Sequence, residues 1–383
     1  MDFFLTTEQE KICEQARTVA GEVFAEGAAA RDASRAFPGE EIAKLAQGGW
    51  LGMRVDSADG GMGLDATSAS LVIEEFSRAC ASTGLVVGLH AFLICDGIKR
   101  HGSDAARGEY LPKLACGEML GAVAFADPAT SSAAEDVAVA TRSGDSYRLN
   151  GFKPFVPGAV GADLFVVYAF LAGEDGTASG ERALLLVPRT TQGLTVGSTD
   201  PLVGVRASGT ASVRFENCEV AVRNRLGEES EAKAILKELL ASADLVVAAQ
   251  AVGIATAALD RAVGRASERE RTEVLIGSRQ SVQFMVANML VDLEAARLYV
   301  LRAADARQGG GDFLYQAAQA KGFAGRAAVR VADTAIQILG TDATLADHGI
   351  ERNWRDAKTT ELNPSTREAA YLLVARHLLE ASS

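Results

Sequence analysis

Apolar residues recur at spacings of three and four from about Thr7 to Ala115. Two clear examples are the stretches Ile42–Ala46 and Leu71–Phe76. This spacing collects apolar side chains on one face of a helix. The pattern therefore predicts a region of helices, joined by glycine-rich turns such as the one at Ser57–Asp65.

The period changes between about Gly121 and Gly227, where short runs rich in Val, Phe, Leu and Tyr are separated by polar turns. Runs of this length and composition are typical of β-strands. The pattern predicts a β domain of about a hundred residues. Its predicted strands are Val137–Thr141, Ser146–Leu149, Leu164–Phe170, Ala183–Val187 and Ala211–Phe215.

Helical spacing returns after Glu228 and continues to the end of the chain. The predicted helices are Ala232–Arg265, Ser278–Ala306, Phe313–Leu339 and Thr366–Glu380. Three glycines, Gly309–Gly311, separate two of them and predict a helix-terminating loop. The most apolar stretch, Ala243–Leu259, is interrupted by polar residues, so it is interpreted as a buried helix and not as a membrane span.

The order of these patterns predicts an α+β multidomain chain. A length of 383 residues also favours two or three domains. We place the predicted boundaries at 1–118 for an N-terminal helical domain, 119–228 for a β domain and 229–383 for a C-terminal helical domain.

Composition excludes several function classes. The chain is 48% hydrophobic and 23% charged, which is ordinary for a globular protein. Its net charge of -12 repels nucleic-acid phosphates and anionic membranes, so neither is predicted as a partner. The five cysteines form no CxxC pair, the four histidines do not cluster, and the N-terminus lacks a signal-peptide pattern. These features predict reduced core thiols, no metal site and a cytoplasmic location.

Two motifs near the C-terminus carry a family resemblance. Arg355–Lys358 read Arg-Asp-Ala-Lys, and Val374–Leu379 read Val-Ala-Arg-His-Leu-Leu. This frame resembles the C-terminal signature of the acyl-CoA dehydrogenase family, in which an "RDAK" turn leads through a Glu-Gly-Thr loop into a last helix ending "ARHLL". Ser57–Asp65 is similar to the family's "YGGxGLD" connector.

The resemblance extends over nearly the whole chain. It implies an N-terminal helical domain, a middle β-barrel domain and a C-terminal four-helix bundle. It also implies FAD as the cofactor and an acyl thioester, carried on CoA or an acyl carrier protein, as the substrate. In the family reaction, a carboxylate removes the α-proton of the thioester while a hydride leaves the β-carbon.

The residue that the family uses as its base is replaced here. The resemblance places Pro364 at the position of the catalytic glutamate, followed by Ser365 and Thr366 at the Gly and Thr positions. Proline cannot accept a proton, so the base is absent or has moved. A second family branch carries its base at the position of Ala243, and Asp244 lies one residue further, a rotation of about 100° on a helix.

Asp244 is therefore the first candidate for a relocated base, and the alternative is a structural or capping role. Glu361, three residues before Pro364, is the second candidate, and Glu368 follows it. The alternative for both glutamates is a solvated surface position. A positioned base contributes roughly 10² to 10⁴ in rate, so its loss would change function.

Two segments of the β domain resemble flavin-contacting motifs. Phe125–Ser132 resembles the family's "LTEPEAGS" loop, whose threonine and serine line the flavin and the thioester. Ser132 matches the serine, whereas Ala126 lacks the threonine hydroxyl. The resemblance thus implies cofactor contacts from Phe125, Ala126 and Ser132.

The second segment, Asn150–Pro157, resembles the family's "NGTKMWIT", whose tryptophan packs on the isoalloxazine ring. Phe155 retains an aromatic face at that position. Pro157 removes both a hydroxyl and a backbone donor. The resemblance implies cofactor contacts from Phe155, Val156 and Pro157, together with Thr366.

Other residues match positions that the family uses on the flavin of a neighbouring subunit. Arg269 matches the arginine of "ERKQFGKP", and Gln337 and Gly340 match "QIFGGYG". An arginine suits a phosphate by charge and fork geometry. Thr272 and Thr341 depart from the same motifs.

Three functions are compatible with these residues. The first is an active acyl-thioester dehydrogenase with a displaced base. The second is a non-catalytic or half-site subunit that completes the flavin site of a paralogue. The third is a flavin monooxygenase or oxidase on the same fold. The resemblance further implies electron transfer flavoprotein as the acceptor and a homotetramer, or a hetero-oligomer with a paralogue, as the assembly.

Overall fold

The structure is a computed structural model that describes residues 5–127, 137–173, 178–268, 275–309 and 311–380. Helices form both ends of the chain and strands form its middle, which confirms the predicted order. The helices are α1 Thr7–Ala20, α2 Ala28–Ser34, α3 Gly39–Gln47, α4 Ala66–Ala79, α5 Ala81–Leu89, α6 Asp96–His101, α7 Asp104–Cys116, α8 Ala232–Ala266, α9 Gln280–Gly309, α10 Phe313–Leu339, α11 Ile350–Thr360 and α12 Arg367–Glu380.

The strands form one seven-stranded sheet in the order β1-β4-β2-β3-β7-β6, and β5 pairs with β4. Their bounds are β1 Gly121–Ala124, β2 Val139–Ser143, β3 Ser146–Val156, β4 Leu164–Ala172, β5 Ala178–Pro188, β6 Leu194–Thr199 and β7 Ala211–Ala221. Hydrophobic periodicity missed β1 and β6. The first is a short, fully buried strand, and the second is largely exposed. Strand β1 therefore shows no alternation, and in β6 the alternation is carried by only two apolar residues, Leu194 and Val196, which is too short a signal to mark a strand.

Strand β4 is buried on both faces. Phe165 and Val167 point into the core of the sheet, whereas Leu164 and Val166 pack in the helical core. A strand buried on both sides has a nearly continuous apolar sequence, as Leu164–Phe170 does. The sheet thereby lies directly against the helices.

The N-terminal and C-terminal helices share one hydrophobic core. Helix α4 packs against α8, and the two backbones approach closely at Gly253. A Cβ at Gly253 would lie 2.2 Å from the carbonyl oxygen of Glu74, so only glycine fits there. The two helical regions are distant in sequence but form a continuous body.

Two stretches have the length and hydropathy of a membrane span, Ala81–His101 and Glu229–Ala266. Their most apolar windows are 100% and 89% buried within the protein. Both stretches are therefore core helices, in agreement with the interpretation of Ala243–Leu259. Cys80, Cys95 and Cys218 are buried, but Cys116 is exposed, so the prediction that all cysteines are core thiols is wrong for that residue.

The Arg-Asp-Ala-Lys motif lies within helix α11, and its interpretation as a turn is wrong. Helix α11 thus adds a fifth helix to the four predicted for the C-terminal region. Arg355 donates to Asp32 of α2 at 2.6 Å and to the carbonyl of Val203 at 2.9 Å. The neighbouring Asp356 accepts the backbone N–H of Val205 at 2.6 Å. We call these contacts the interdomain joint, because they tie the C-terminal helices to the N-terminal helices and to the β domain.

Candidate active site

A cavity of about 610 Å³ lies between α8, the start of α10, and α12. Its apolar wall is formed by leucine and alanine side chains, including Leu240, Leu314 and Leu372. Its polar lining includes Asp244 and Ser365. An apolar cavity with a few convergent polar groups is the usual form of a small-molecule site.

Asp244 and Ser365 meet at the wall of this cavity. The Ser365 hydroxyl donates to Asp244 Oδ1 at 2.9 Å. Ser365 directly follows Pro364, so the structure brings Asp244 next to the position at which the family pattern has its glutamate. Ala243 is 1% exposed and lies in the core, whereas Asp244 faces the cavity, as the 100° helical step requires.

Burial controls the acidity of Asp244. Removal from water raises the pKa of its carboxyl to about 6, although nearby Lys321 and the hydrogen bond from Ser365 act in the opposite direction. A carboxyl with this pKa is mostly ionised at neutral pH, and its carboxylate binds a proton more tightly than that of an ordinary aspartate. These are the properties of a general base.

Lys321 lies on α10 behind this pair and is 1% exposed. Its ammonium donates to the carbonyl oxygens of Thr360 and Ser365, the second at 3.1 Å. Burial lowers the pKa of the Lys321 ammonium to about 8, while Asp244, Glu361 and Glu368 oppose that decrease. Lys321 thus fixes the backbone that presents Ser365.

Glu361 is buried but is committed to other partners. One carboxylate oxygen accepts from Lys358 and the other accepts from Arg367 at 2.9 Å. Among the described residues that line the cavity, Asp244 is present and Glu361 is not. Glu368 is exposed and pairs with Arg367. The structure therefore separates both glutamates from the Asp244 site.

Thr366 has a local structural role in the described chain. Its hydroxyl accepts the backbone N–H of Ala369 at 3.2 Å, and its carbonyl accepts that of Ala370. These bonds satisfy amide groups at the start of α12, as an N-cap does. Thr366 therefore sets where α12 begins, immediately after Ser365.

The rim of the cavity is charged. His377 on α12 lies 3.0 Å from Asp312, which caps the start of α10. The His377 ring also stacks on Tyr315, with ring centroids 4.2 Å apart. Lys237 and Arg376 add positive charge to the rim. Asp312 and Glu380 add negative charge, so the rim above the apolar interior carries both signs, and Lys237 and Arg376 are its groups that can bind an anionic carrier.

The end of β1 forms a second cluster. Lys153 on β3 is fully buried, and its ammonium donates to Asp127 at 2.6 Å and to the carbonyl of Phe125 at 3.3 Å. Burial lowers the pKa of Lys153, and Asp127 opposes that decrease. These bonds fix the chain at Phe125 and Ala126, just before the region in which Ser132 lies outside the described residues.

Phe155 is presented by an irregularity in β3. The pairing of β3 with β7 shifts register between Lys153 and Val156, and Phe155 has a left-handed backbone with φ of 51°. Its ring is 63% exposed, whereas Val156 is 1% exposed. A left-handed conformation costs an aromatic residue about 1 to 3 kcal/mol and is concentrated at functional positions. The bulge thereby directs an aromatic ring outward, next to Pro157.

The region around Phe155 fits the flavin ring that the family resemblance implies. An exposed aromatic face offers a stacking surface, and Lys153, two residues before Phe155 on the same strand, binds the backbone carbonyl of Phe125. Ala126 and Pro157 provide no side-chain hydroxyl. The flavin ring therefore fits by stacking on Phe155, with fewer side-chain hydrogen bonds than the family motifs would provide.

Gln337 and Gly340 lie at the far end of α10, and both are exposed. Helix geometry separates Gln337 from Tyr315 at the cavity rim by roughly 33 Å. The structure therefore does not bring Gln337 or Gly340 to the Asp244 site of the same chain. Arg269 and Thr272 lie outside the described residues.

Sequence reasoning missed Lys321, Lys153 and the contact made by Ser365. A signal for Lys321 was present, because it is the single charged residue in the stretch Ala317–Gly325, which otherwise consists of small, apolar and amide residues. A lone lysine on an apolar helical face is expected to have a specific partner. The Ser365 contact joins residues 121 positions apart, so no local pattern could reveal it.

Comparisons with known proteins cover the whole described architecture. Three family descriptions match: "Acyl-CoA dehydrogenase, N-terminal domain" over residues 6–118, the middle domain over 122–218 and the C-terminal domain over 233–379. The short-chain specific acyl-CoA dehydrogenase of Clostridium acetobutylicum is 34% identical over 377 residues, which are 98% of this chain and 99% of that protein.

Two solved structures show the same fold. Butyryl-CoA dehydrogenase from Megasphaera elsdenii superimposes with a TM-score of 0.93 at 30% identity, covering 99% of this chain and all of the other. A structure of PigA with FAD and proline gives a TM-score of 0.90 at 26% identity, with 99% of each chain covered.

Proposed function

Because the chain belongs to the acyl-CoA dehydrogenase family, we propose that it is an FAD-dependent oxidoreductase that acts on the CH–CH bond of an acyl thioester, with Asp244 as its base. Homologues over nearly the full length of the chain are acyl-CoA dehydrogenases. The observation that carries the choice of base is the placement of Asp244 on the cavity wall, hydrogen-bonded to Ser365.

FAD suits the aromatic surface at Phe155 and the fixed backbone at Phe125. A bound flavin would supply the redox chemistry by accepting the hydride from the β-carbon of the thioester. This chain's residues then have to hold the ring, position the substrate and take the α-proton. Phe155 would hold the ring on one side, and further contacts would come from Ala126, Pro157 and Ser132. The side chain of Val156 is buried in the core of the β domain, so the predicted contact from that side chain is wrong.

Asp244 fits the proton-transfer role by geometry and by acidity. It lines the cavity, so the acyl chain of a bound thioester can reach it. Its pKa of about 6 makes the carboxylate the main form at neutral pH. Ser365 orients the carboxylate by donating to one oxygen, which leaves the other available for the proton.

The cavity favours a thioester on an anionic carrier. Leu240, Leu314 and Leu372 provide an apolar surface for an acyl chain. Lys237 and Arg376 at the rim provide positive charge for the phosphate of CoA or of a carrier-protein pantetheine. Both carriers share that phosphate, and kinetic comparison of the two thioesters would distinguish them.

We also propose that the protein functions as an oligomer of this chain. Gln337 and Gly340 are exposed far from the chain's own Asp244 site, where a neighbouring subunit can use them. Exposed apolar side chains, among them Phe284 and Val291 on α9 and Leu379 on α12, provide surface for such contacts. Electron transfer flavoprotein is the acceptor that family membership favours.

The first test measures flavin per chain and its reduction by butyryl-CoA under anaerobic conditions. The wild-type protein should contain one FAD per chain, and its rate of reduction should fall as the pH decreases through about 6, because the base becomes protonated. Asp244→Asn should keep the FAD and reduce it roughly 10² to 10⁴ times more slowly. Glu361→Gln serves as the matched comparison and should retain the pH profile.

Three outcomes would contradict this proposal. Wild-type rates in Asp244→Asn, together with slow reduction in Glu361→Gln, would assign the base to Glu361. A chain that contains FAD only after co-expression with a glutamate-bearing paralogue would instead favour the half-site subunit. Oxygen consumption driven by the thioester would favour the oxidase.

A further inference from the structure

We propose that Lys321 is a positioning residue for the reaction: its buried ammonium holds the backbone between α11 and α12 so that Ser365 presents its hydroxyl to Asp244, and its charge acts directly on the Asp244 carboxylate. This inference rests on the proposed function, in which Asp244 is the base. Nothing in the family pattern assigns the task, because the loop between the two helices here has Pro364 and Ser365 in place of glutamate and glycine.

The contacts of Lys321 span the loop from end to end. Thr360 is the last residue of α11, and Ser365 lies just before α12 begins. One ammonium group donates to the carbonyl oxygens of both. The two ends of the loop are thereby fixed to the same point on α10, so the hydroxyl of Ser365 has a defined direction.

The neighbouring surface of α10 is shaped for the same segment. A Cβ at Gly322 would lie 2.5 Å from the ring of Tyr371 on α12, and the Tyr371 hydroxyl donates to the carbonyl of Gly322 at 3.1 Å. At Gly325, a Cβ would lie 3.2 Å from the hydroxyl oxygen of Thr360. The absence of side chains at both glycines lets α11 and α12 approach α10, with Lys321 between them.

The charge of Lys321 also acts on Asp244. A buried ammonium needs nearby negative charge, and the charges of Asp244, Glu361 and Glu368 act on Lys321 in that order. The two glutamates are already paired with Arg367, and Glu361 also with Lys358. The carboxylate of Asp244 accepts from Ser365 and is the negative group on the cavity side.

The remaining charged groups near Asp244 lie at the cavity rim. They are Lys237 on α8, Asp312 at the start of α10, and Arg376, His377 and Glu380 on α12. Asp312 and His377 are paired with each other at 3.0 Å. Lys321 is therefore the cation whose removal should change the titration of Asp244 most.

The test titrates Asp244 directly by carboxyl ¹³C NMR, with Asp244→Asn identifying the resonance. Lys321→Met removes the ammonium but retains most of the side-chain length. We expect the pKa of Asp244 to rise by roughly one unit in this variant. The pH at which the rate of flavin reduction falls to half its maximum should rise by the same amount. Lys358→Met removes a cation on the other side of the loop and should move neither value.

A merely structural role for Lys321 predicts a different result. The Lys321→Met protein would then lose stability while Asp244 titrates as in the wild type, and that outcome would overturn the proposal. The NMR titration needs no substrate, so it gives an answer even if Asp244 is not the base. If Asp244→Asn were fully active while the pKa of Asp244 was shifted in Lys321→Met, Asp244 would not be the base. The effect of Lys321 on Asp244 would still be established.

A reciprocal measurement covers the case in which Lys321→Met does not fold. Coupling between two titrating groups is symmetric, so the loss of the Asp244 charge must affect Lys321. In Asp244→Asn, the pKa of Lys321, followed by ¹³Cε NMR, should fall below its wild-type value of about 8. An unchanged Lys321 titration in that variant would also overturn the proposal.

Discussion

Asp244 and Asp356 are two buried carboxyls with the same acidity in different surroundings. Burial raises the pKa of each to about 6. Asp356 lies in the interdomain joint and accepts the backbone N–H of Val205, so its carboxylate ties two domains together. Asp244 lines a cavity and accepts only a side-chain hydroxyl among its described hydrogen bonds. A raised pKa therefore does not identify a reactive group unless a substrate can also reach it.

The same comparison extends to the sequence around each carboxyl. Arg355 and Asp356 match the family pattern and hold the domains together. Pro364 and Ser365, a few residues later, depart from it and lie beside the cavity. The described structure thus retains the scaffold of the family, while the group suited to proton transfer comes from α8.

The largest expected effect is on the rate of flavin reduction. Asp244→Asn should slow it by roughly 10² to 10⁴ because the base is lost. Asp356→Asn retains an oxygen that can accept from Val205 and lies away from the cavity, so its rate should remain within a few-fold of wild type. Stopped-flow absorbance with butyryl-CoA measures both. If both variants reduced the flavin equally slowly, Asp356 in the interdomain joint would matter to the reaction as much as Asp244 at the cavity, and the comparison would fail.

The next effect concerns the stability of the joint. Arg355→Ala leaves Asp32 buried without its main cation and should lower the free energy of unfolding by about 3 kcal/mol. Arg142, half-exposed and paired with Glu229 at 3.2 Å, is a matched arginine, and Arg142→Ala should cost at most about 1 kcal/mol. Urea denaturation compares them. Similar values for the two variants would argue against a structural role for the joint.

A pH-dependent effect follows from Asp356. Because its pKa is raised in the folded protein, the folded state binds the proton more tightly than the unfolded state. Its contribution to stability is fully present at low pH and is lost as the pH rises through about 6. The difference in unfolding free energy between wild type and Asp356→Asn should therefore change by roughly 1 to 3 kcal/mol from pH 4 to pH 6. A difference independent of pH would contradict the buried, protonatable state of Asp356.

The smallest expected effect is on stability and compares two helical glycines: Gly322, which contacts α12, and Gly264, which lies in open space on α8. Gly322→Ala must displace the ring of Tyr371 and should destabilise the protein by about 1 to 3 kcal/mol. Gly264→Ala meets no atom within 4 Å on α8 and should stabilise it by about 0.5 to 1 kcal/mol. Thermal unfolding measures whether each variant is destabilised or stabilised. Stabilisation by Gly322→Ala would show that α12 does not pack on α10 as described.

The long elements were predictable because their periodicity is strong. Helix α10 begins and ends at the residues that the apolar pattern predicts, and α8 differs by one residue. Helix α11 was read as a turn because that reading came from the family motif and not from the apolar pattern. The helix packs on α8 and α10, and the interdomain joint connects it to the other two domains. Strand β1 was missed because it is buried throughout its four residues, and β6 because its alternation rests on only Leu194 and Val196.

The sequence by itself determined the order of helices and strands, the family frame and the identity of Asp244 as a candidate. Those features are local, since they depend on the period of apolar residues or on short motifs. The tertiary structure decided that Asp244 meets Ser365, that Glu361 is occupied by Lys358 and Arg367, and that Lys321 joins the ends of the loop. Each of these contacts depends on how α8, α10 and the chain around α12 pack together. Access to a cavity and the pKa of a buried group arise only from that packing.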